Sequence, residues 1–290
     1  MTSISFLASL ISHLKIDMFR ITEVVKQLLI INGLFFIAKL AFDEGIFDII
    51  DMDLLALFYP ESENFRPYQI VTHFFMHGSV MHIFFNMFAL VMFGSALEAL
   101  WGPKRFLVFY IICAMGGAIV HTLFNYYDFS LIRSGIDAFQ AAPTYDSFVG
   151  LLEEYSVFRN YLTPQGQSYV NSLGESLNNG ESGAAAAAVT AMNDIYTMYV
   201  NNNAAVGASG AIYGLLLGFG MLFPNVELML IFLPIPIKAK YFIPVLMVIE
   251  LFLGIGQFSW DNIAHFAHLG GALFGFLMVM YWKKTGVGLR

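Results

Sequence analysis

Residues 201–223 read NNNAAVGASGAIYGLLLGFGMLF, a polar stretch that becomes an unbroken apolar run at Gly207-Ala208-Ser209-Gly210. A serine at that junction has two chemical readings. Its hydroxyl can bond a carbonyl of its own helix, with Gly207 and Gly210 as small residues that let a neighbour pack closely. Alternatively it is a nucleophile, which needs a base to take its proton, and histidine is the side chain suited to that near neutral pH. Histidines stand where two other apolar runs begin. HFFMHGSVMHIFFN holds His73, His77, His82 and Asn86, and HFAHLGGALFG holds His265 and His268. Polar groups in hydrocarbon are costly and mark functional candidates.

These residue types fit acyl transfer. His268 can serve as the base for Ser209, and the only acidic residue read near it, Asp261, falls at the outer end of its run. The pattern therefore predicts a Ser209–His268 dyad without a carboxylate, with His265 a candidate for facing the same site. Tyr213 follows Ser209 by about one turn and can stack on the imidazole. Attack on a carbonyl creates an oxyanion that wants preorganised donors. His82 and Asn86, spaced i, i+4, can both donate, and the backbone N–H of Ser209 in a first helical turn is a third donor. A metal centre is the competing chemistry. On one continuous helix, however, His73 and His77 would point away from His82 and Asn86, with no H-E-x-x-H and no accompanying carboxylate. No metal or cofactor is expected, and His73 and His77 are expected to fold back and shape the entrance. His13 and His121 have no partner legible in the sequence.

The elements that must position these groups are membrane helices. The 290 residues are 58% hydrophobic and 12% charged, about half the charge of a soluble domain. Six stretches approach the roughly 20 apolar residues that a span needs, near 27–42, 80–99, 105–124, 205–223, 241–259 and 263–282. Glu250 interrupts the fifth. With six spans, ten Lys and Arg fall on the side of both termini and four, Lys39, Arg66, Arg133 and Arg159, on the other. That bias predicts a multi-pass plasma (inner) membrane protein with cytoplasmic termini and a site opening to the extracytoplasmic side. Nothing in the charge pattern supports nucleic-acid binding. Cys113 is the only cysteine, so no disulfide forms within the chain.

The expected organisation is a cytoplasmic or interfacial segment over 1–26 and spans 1–3 over 27–124, with an interfacial connection at 43–79. An extracytoplasmic insertion over 125–204 follows, then spans 4–6 over 205–282 and a tail over 283–290. The insertion carries helical spacing between Gly, Pro and Asn breakers. Eight acidic residues there face Arg133 and Arg159, so it should project into water or dock on a protein partner.

Together the motifs resemble the rhomboid family of intramembrane serine proteases. They are GASG followed by Tyr213, AHLGGALFG, HFFMHGSVMHIFFN, and EALWG from Glu98 to Gly102. The resemblance implies an all-α bundle of six transmembrane helices that hydrolyses transmembrane protein substrates in the lipid bilayer. It makes Ser209 the nucleophile, His268 the general base and acid, and His82 and Asn86 the oxyanion pair. Gly271 and Gly275 would let span 6 approach span 4, span 5 would be a movable gate, and no cofactor is required. A catalytically inactive relative that binds membrane proteins is the alternative. The insertion over 125–204 departs from the family pattern.

Overall fold

The computed structural model describes residues 21–43, 52–155, 157–160, 162–230, 233–256, 258, 261 and 263–286. Most of the expected 1–26 segment and the end of the tail lie outside them. The chain is mostly helical and forms two compact units, one of residues 1–57, 67–121 and 205–290 and one of 58–66 and 122–204.

The first unit contains α1 (Glu23–Asp43), a short α2 (Gln69–Thr72) and α3 (Val80–Ala89). Then come α4 (Ser95–Trp101), the first half of α5 (Pro103–Ala141), and the last three helices. Five helices among the described residues are long and apolar enough to cross a membrane. The second of them is α3 and α4 joined through a π-helical turn, Leu90–Gly94. Span 4 is shorter than the sequence predicts. Here Ala204–Ala205 is a strand, and the helix runs only from Ser209 to Leu222, 14 residues. That is about 21 Å of rise against a hydrocarbon core of roughly 30 Å. Span 3 departs the other way. The α5 helix has 39 residues, so its second half takes in the first stretch expected of the insertion. The segment before span 5, expected as a plain connection, pairs Glu227–Leu230 with Leu233–Lys238 as an antiparallel hairpin.

Glu98, at the end of the second span, is 4% exposed and ties down the start of α1. Its Oε1 accepts from the Val24 N–H and its Oε2 from the Val25 N–H, each at 3.0 Å. First-turn N–H groups have no partner inside their helix, and an anion there also meets the positive end of the helix dipole. Glu98→Ala leaves both donors buried without an acceptor. Thermal or denaturant unfolding should record a loss of about 2–3 kcal/mol, while the geometry around Ser209 stays intact.

Helices α10 (Ser209–Leu222) and α12 (His265–Thr285) meet backbone to backbone. A Cβ placed on Gly271 would lie 1.8 Å from the Gly210 carbonyl oxygen, and one on Gly275 2.9 Å from that of Gly214. Only glycine permits this approach, the small-xxx-small geometry of membrane helix pairs. Between them in sequence, α11 (Ala239–Gly256) packs on α12 through Gly254, whose added Cβ would meet His265 Cβ at 3.0 Å.

The second unit has its own core. Ile136, Phe139, Phe148, Leu151, Leu173 and Met192 are buried in one cluster, contributed by the second half of α5 and four helices. These are α6 (Tyr145–Glu154), α7 (Val157–Asn160), α8 (Pro164–Asn178) and α9 (Ala184–Asn202). The helix starts are written in the sequence. Thr144 and Ser147 form a reciprocal capping box, and Thr163 caps a helix with Pro164 in its first turn, both strong start signals. The 58–66 segment belongs to this unit: the Tyr59 ring meets Phe129 edge-on at 5.0 Å.

Candidate active site

Ser209 is the first residue of α10, reached through Gly207 at φ +119. That backbone conformation is open to glycine and strained for other residues. The Gly207 N–H donates to the His73 carbonyl at 2.8 Å, so the segment before α3 fixes where the serine helix starts. His73 itself lies in a 3-10 turn, His73–Phe75, off the span helix. Its Nδ1 meets the Gln69 carbonyl oxygen at 2.7 Å. His73 and His121 line a small pocket beside Ser209, together with Gly117, Gly207 and Ala267.

The structure brings Ser209 and His268 together. The serine Oγ–H donates to His268 Nε2 at 2.8 Å. Tyr213 stacks on the imidazole with ring centroids 4.1 Å apart and planes 8° from parallel. The expectation that no carboxylate but Asp261 lies near His268 is corrected. Glu250 of α11 reaches His268, with Nδ1 2.9 Å from its Oε2. The same oxygen lies 2.7 Å from His265 Nδ1, and Oε1 accepts from the Tyr213 hydroxyl. His265 Nε2 in turn meets Asp261 Oδ2 at 2.9 Å. Glu250, His265 and His268 are 6, 5 and 8% exposed. Their donor atoms lie within 4.8 Å of one another, each engaged in these hydrogen bonds.

The sequence held one signal for this. Glu250 is a carboxylate inside an apolar span, and such a group requires a partner. Helical periodicity places it on α11 and cannot say which neighbour it faces.

His82 and Asn86 lie on α3, which Ser79 starts by accepting the His82 N–H at 3.1 Å. A Cβ on Gly207 would sit 2.8 Å from His82 Nε2 and 3.6 Å from Asn86 Nδ2, so both reach the turn that leads into Ser209. His82 Nδ1 accepts from the Gly78 N–H at 3.4 Å, which leaves the ring proton on Nε2. Asn86 Nδ2 is buried with no hydrogen-bond partner. Buried donors are rarely left so.

Membrane-length helices enclose a serine hydroxyl bonded to a buried histidine–carboxylate cluster, and together they define a polytopic membrane protein. The rhomboid domain model matches residues 64–136 and 172–284, and the chain belongs to the rhomboid family. The unmatched stretch, 137–171, is narrower than the departure expected over 125–204. The chain is 41% identical over 59 residues to Rhomboid-like protein 15 of Arabidopsis thaliana, covering 20% of this chain and 15% of that protein. It is 32% identical over 72 residues to Rhomboid-like protease 3 of Toxoplasma gondii, 25% and 27% respectively. RHOMBOID-like protein 6, mitochondrial, of A. thaliana is 32% identical over 68 residues, 23% and 22%. The matched stretches thus span no more than about a quarter of these relatives. No solved structure matches.

Proposed function

We propose that this protein is an intramembrane serine endopeptidase that cleaves single-span membrane proteins near the outer end of their helix. The observation that carries the reading is the 2.8 Å hydrogen bond from Ser209 Oγ to His268 Nε2 beside an unpartnered buried amide donor, Asn86 Nδ2. Nucleophile, base and oxyanion donor are the three parts acyl transfer needs.

Ser209 Oγ attacks the scissile carbonyl carbon while its proton passes to His268 Nε2. The carbonyl oxygen becomes an oxyanion held by Asn86 Nδ2, His82 Nε2 and the Ser209 backbone N–H. His268 then gives the proton to the leaving amine, and the C–N bond breaks to leave an acyl-serine. Water, deprotonated by the same nitrogen, releases the acid product. A peptide bond inside an intact helix is shielded from Ser209, so the substrate helix must unwind at the cut. The setting proposed is the plasma (inner) membrane, with cytoplasmic termini and the site open to the extracytoplasmic side. The short α10, some 9 Å less than the hydrocarbon core, fits a Ser209 set below a membrane surface. The acidic 125–204 region is an accessory module that meets water or a protein partner.

The test is covalent labelling of purified protein with a fluorophosphonate. Wild type should label and Ser209→Ala should not; a wild type that stays unlabelled and cuts no substrate is an inactive relative. For the oxyanion pair, Asn86→Ala and His82→Ala should each lower kcat with KM little changed. Loss of one such donor typically costs about 2.7–4 kcal/mol, roughly 10²–10³-fold. Unchanged kcat in the double variant removes both residues from the site.

A further inference from the structure

Glu250 presents three acceptor contacts to three donors. The Tyr213 hydroxyl donates to Oε1, and the Nδ1 atoms of His265 and His268 lie 2.7 and 2.9 Å from Oε2. A carboxylate accepts all three only when ionised. With His268 donating from Nδ1, its Nε2 is left with a lone pair facing the Ser209 hydroxyl, the tautomer a general base requires. His265 meets a carboxylate oxygen at each ring nitrogen, Glu250 Oε2 and Asp261 Oδ2. The Glu250 carboxylate beside His268 supplies a counter-charge when His268 takes the serine's proton.

We infer that Glu250 is a positioning residue for His268, and that catalysis depends on α11 being docked against α12. The inference rests on the Ser209–His268 reading above. The carboxylate comes from a different helix than either the nucleophile or the base. Among the described residues, Glu250 is what holds His268 Nδ1. The docking surface is narrow at Gly254, one turn beyond Glu250. A Cβ there would meet His265 Cβ at 3.0 Å and the Phe266 ring at 3.1 Å. A side chain as large as leucine at 254 cannot fit that gap, so it pushes α11 away from the start of α12 and draws Glu250 off the imidazoles. The serine and the base keep their own contact in that event, because Ser209 and His268 sit on α10 and α12. What His268 loses is its fixed tautomer and the counter-charge for its protonated form.

The experiment compares wild type, Ser209→Ala, Glu250→Met, Glu250→Asp and Gly254→Leu in lipid vesicles, following substrate cleavage, fluorophosphonate labelling rate and thermal stability. Met keeps the length and volume of Glu and removes the acceptor; Asp keeps the charge at shorter reach. Glu250→Met should lower kcat at least a hundredfold with KM within twofold, and Glu250→Asp should recover at least tenfold of that loss. Loss of the triad carboxylate in soluble enzymes costs about 10⁴ in kcat. Gly254→Leu should slow cleavage and labelling tenfold or more, with little added loss when Glu250→Met is also present. A Glu250→Met protein within threefold of wild type, or one whose KM rises with kcat unchanged, overturns the inference while Ser209→Ala inactivity leaves the protease reading standing. Full labelling of Gly254→Leu overturns the dependence on docking. If wild type neither labels nor cleaves, it is the protease reading that fails. Should Glu250→Met fail to fold, Glu250→Asp and Gly254→Leu, compared with wild type at matched thermal stability, decide the question in the same terms.

Discussion

Ser209→Ala protein is expected to leave a model transmembrane substrate uncut, and His268→Ala is expected to be equally inert. The two side chains share one proton, through a hydrogen bond of 2.8 Å, so removing either removes the whole transfer. Groups that act as a unit are not additive. In a soluble serine protease, a single loss costs on the order of 10⁶-fold and further losses add little. The double variant should therefore be no worse than either single one. Because Ser209 starts α10 with Ala208 before it, an alanine there also leaves the helix intact, and thermal stability should match wild type. Gel-resolved cleavage in proteoliposomes reads the outcome; substantial cleavage by pure Ser209→Ala protein overturns the mechanism.

A single methyl group at Gly271 should slow the enzyme from outside the reacting atoms. Its Cβ would lie 1.8 Å from the Gly210 carbonyl oxygen, whereas carbon and oxygen approach no closer than about 3.3 Å without strain. Helices α10 and α12 must then separate by roughly that difference. Gly210 adjoins Ser209, and Gly271 lies one turn from His268, so the gap opens across the catalytic hydrogen bond. Misplacement of about 1 Å can cost on the order of 10²-fold in rate, and overpacking about 1–3 kcal/mol in stability. Gly271→Ala should show both losses in cleavage and thermal unfolding assays. Gly33→Ala in α1, where an added Cβ meets nothing within 4 Å, should show neither. Wild-type behaviour of Gly271→Ala would mean that the helices do not meet there.

Motif spacing carried the sequence reading far. Ser209, His268 and Tyr213 each follow from a local pattern: a serine where polar chain becomes apolar helix, a histidine opening a glycine-spaced run, an aromatic one turn on. What local pattern cannot find is a pairing between elements. Glu250 was visible as a costly charge in an apolar run, but its contact with His268 spans 18 residues and a change of helix. Glu98 was visible as part of EALWG, yet its role at the start of α1 closes a separation of more than 70 residues. Helix ends were misjudged for a related reason. Apolar composition marks where a span fits the bilayer, not where the backbone stops being helical, so α5 runs past the expected end of its span. The serine helix begins late because Ala204–Ala205 is drawn into a strand.

The second unit also bears on how the chain is made. Asn201 receives the 58–66 segment through its side chain and backbone: the Ser62 hydroxyl donates to Asn201 Oδ1 at 3.1 Å, and Asn64 Nδ2 to the Asn201 carbonyl at 2.9 Å. These partners are separated by 139 and 137 residues, with α3, α4 and α5 translated between them. At a synthesis rate of about 5–20 residues per second, Ser62 leaves the ribosome roughly 7–28 s before Asn201 exists. Tyr59, 7% exposed in the finished protein, waits for Phe129 through about the first half of that interval and for Val200 through nearly all of it. The early segment must wait with its aromatic ring uncovered while two more spans enter the bilayer. Completion of the unit thus comes late in biosynthesis, when α9 meets a segment laid down near the start.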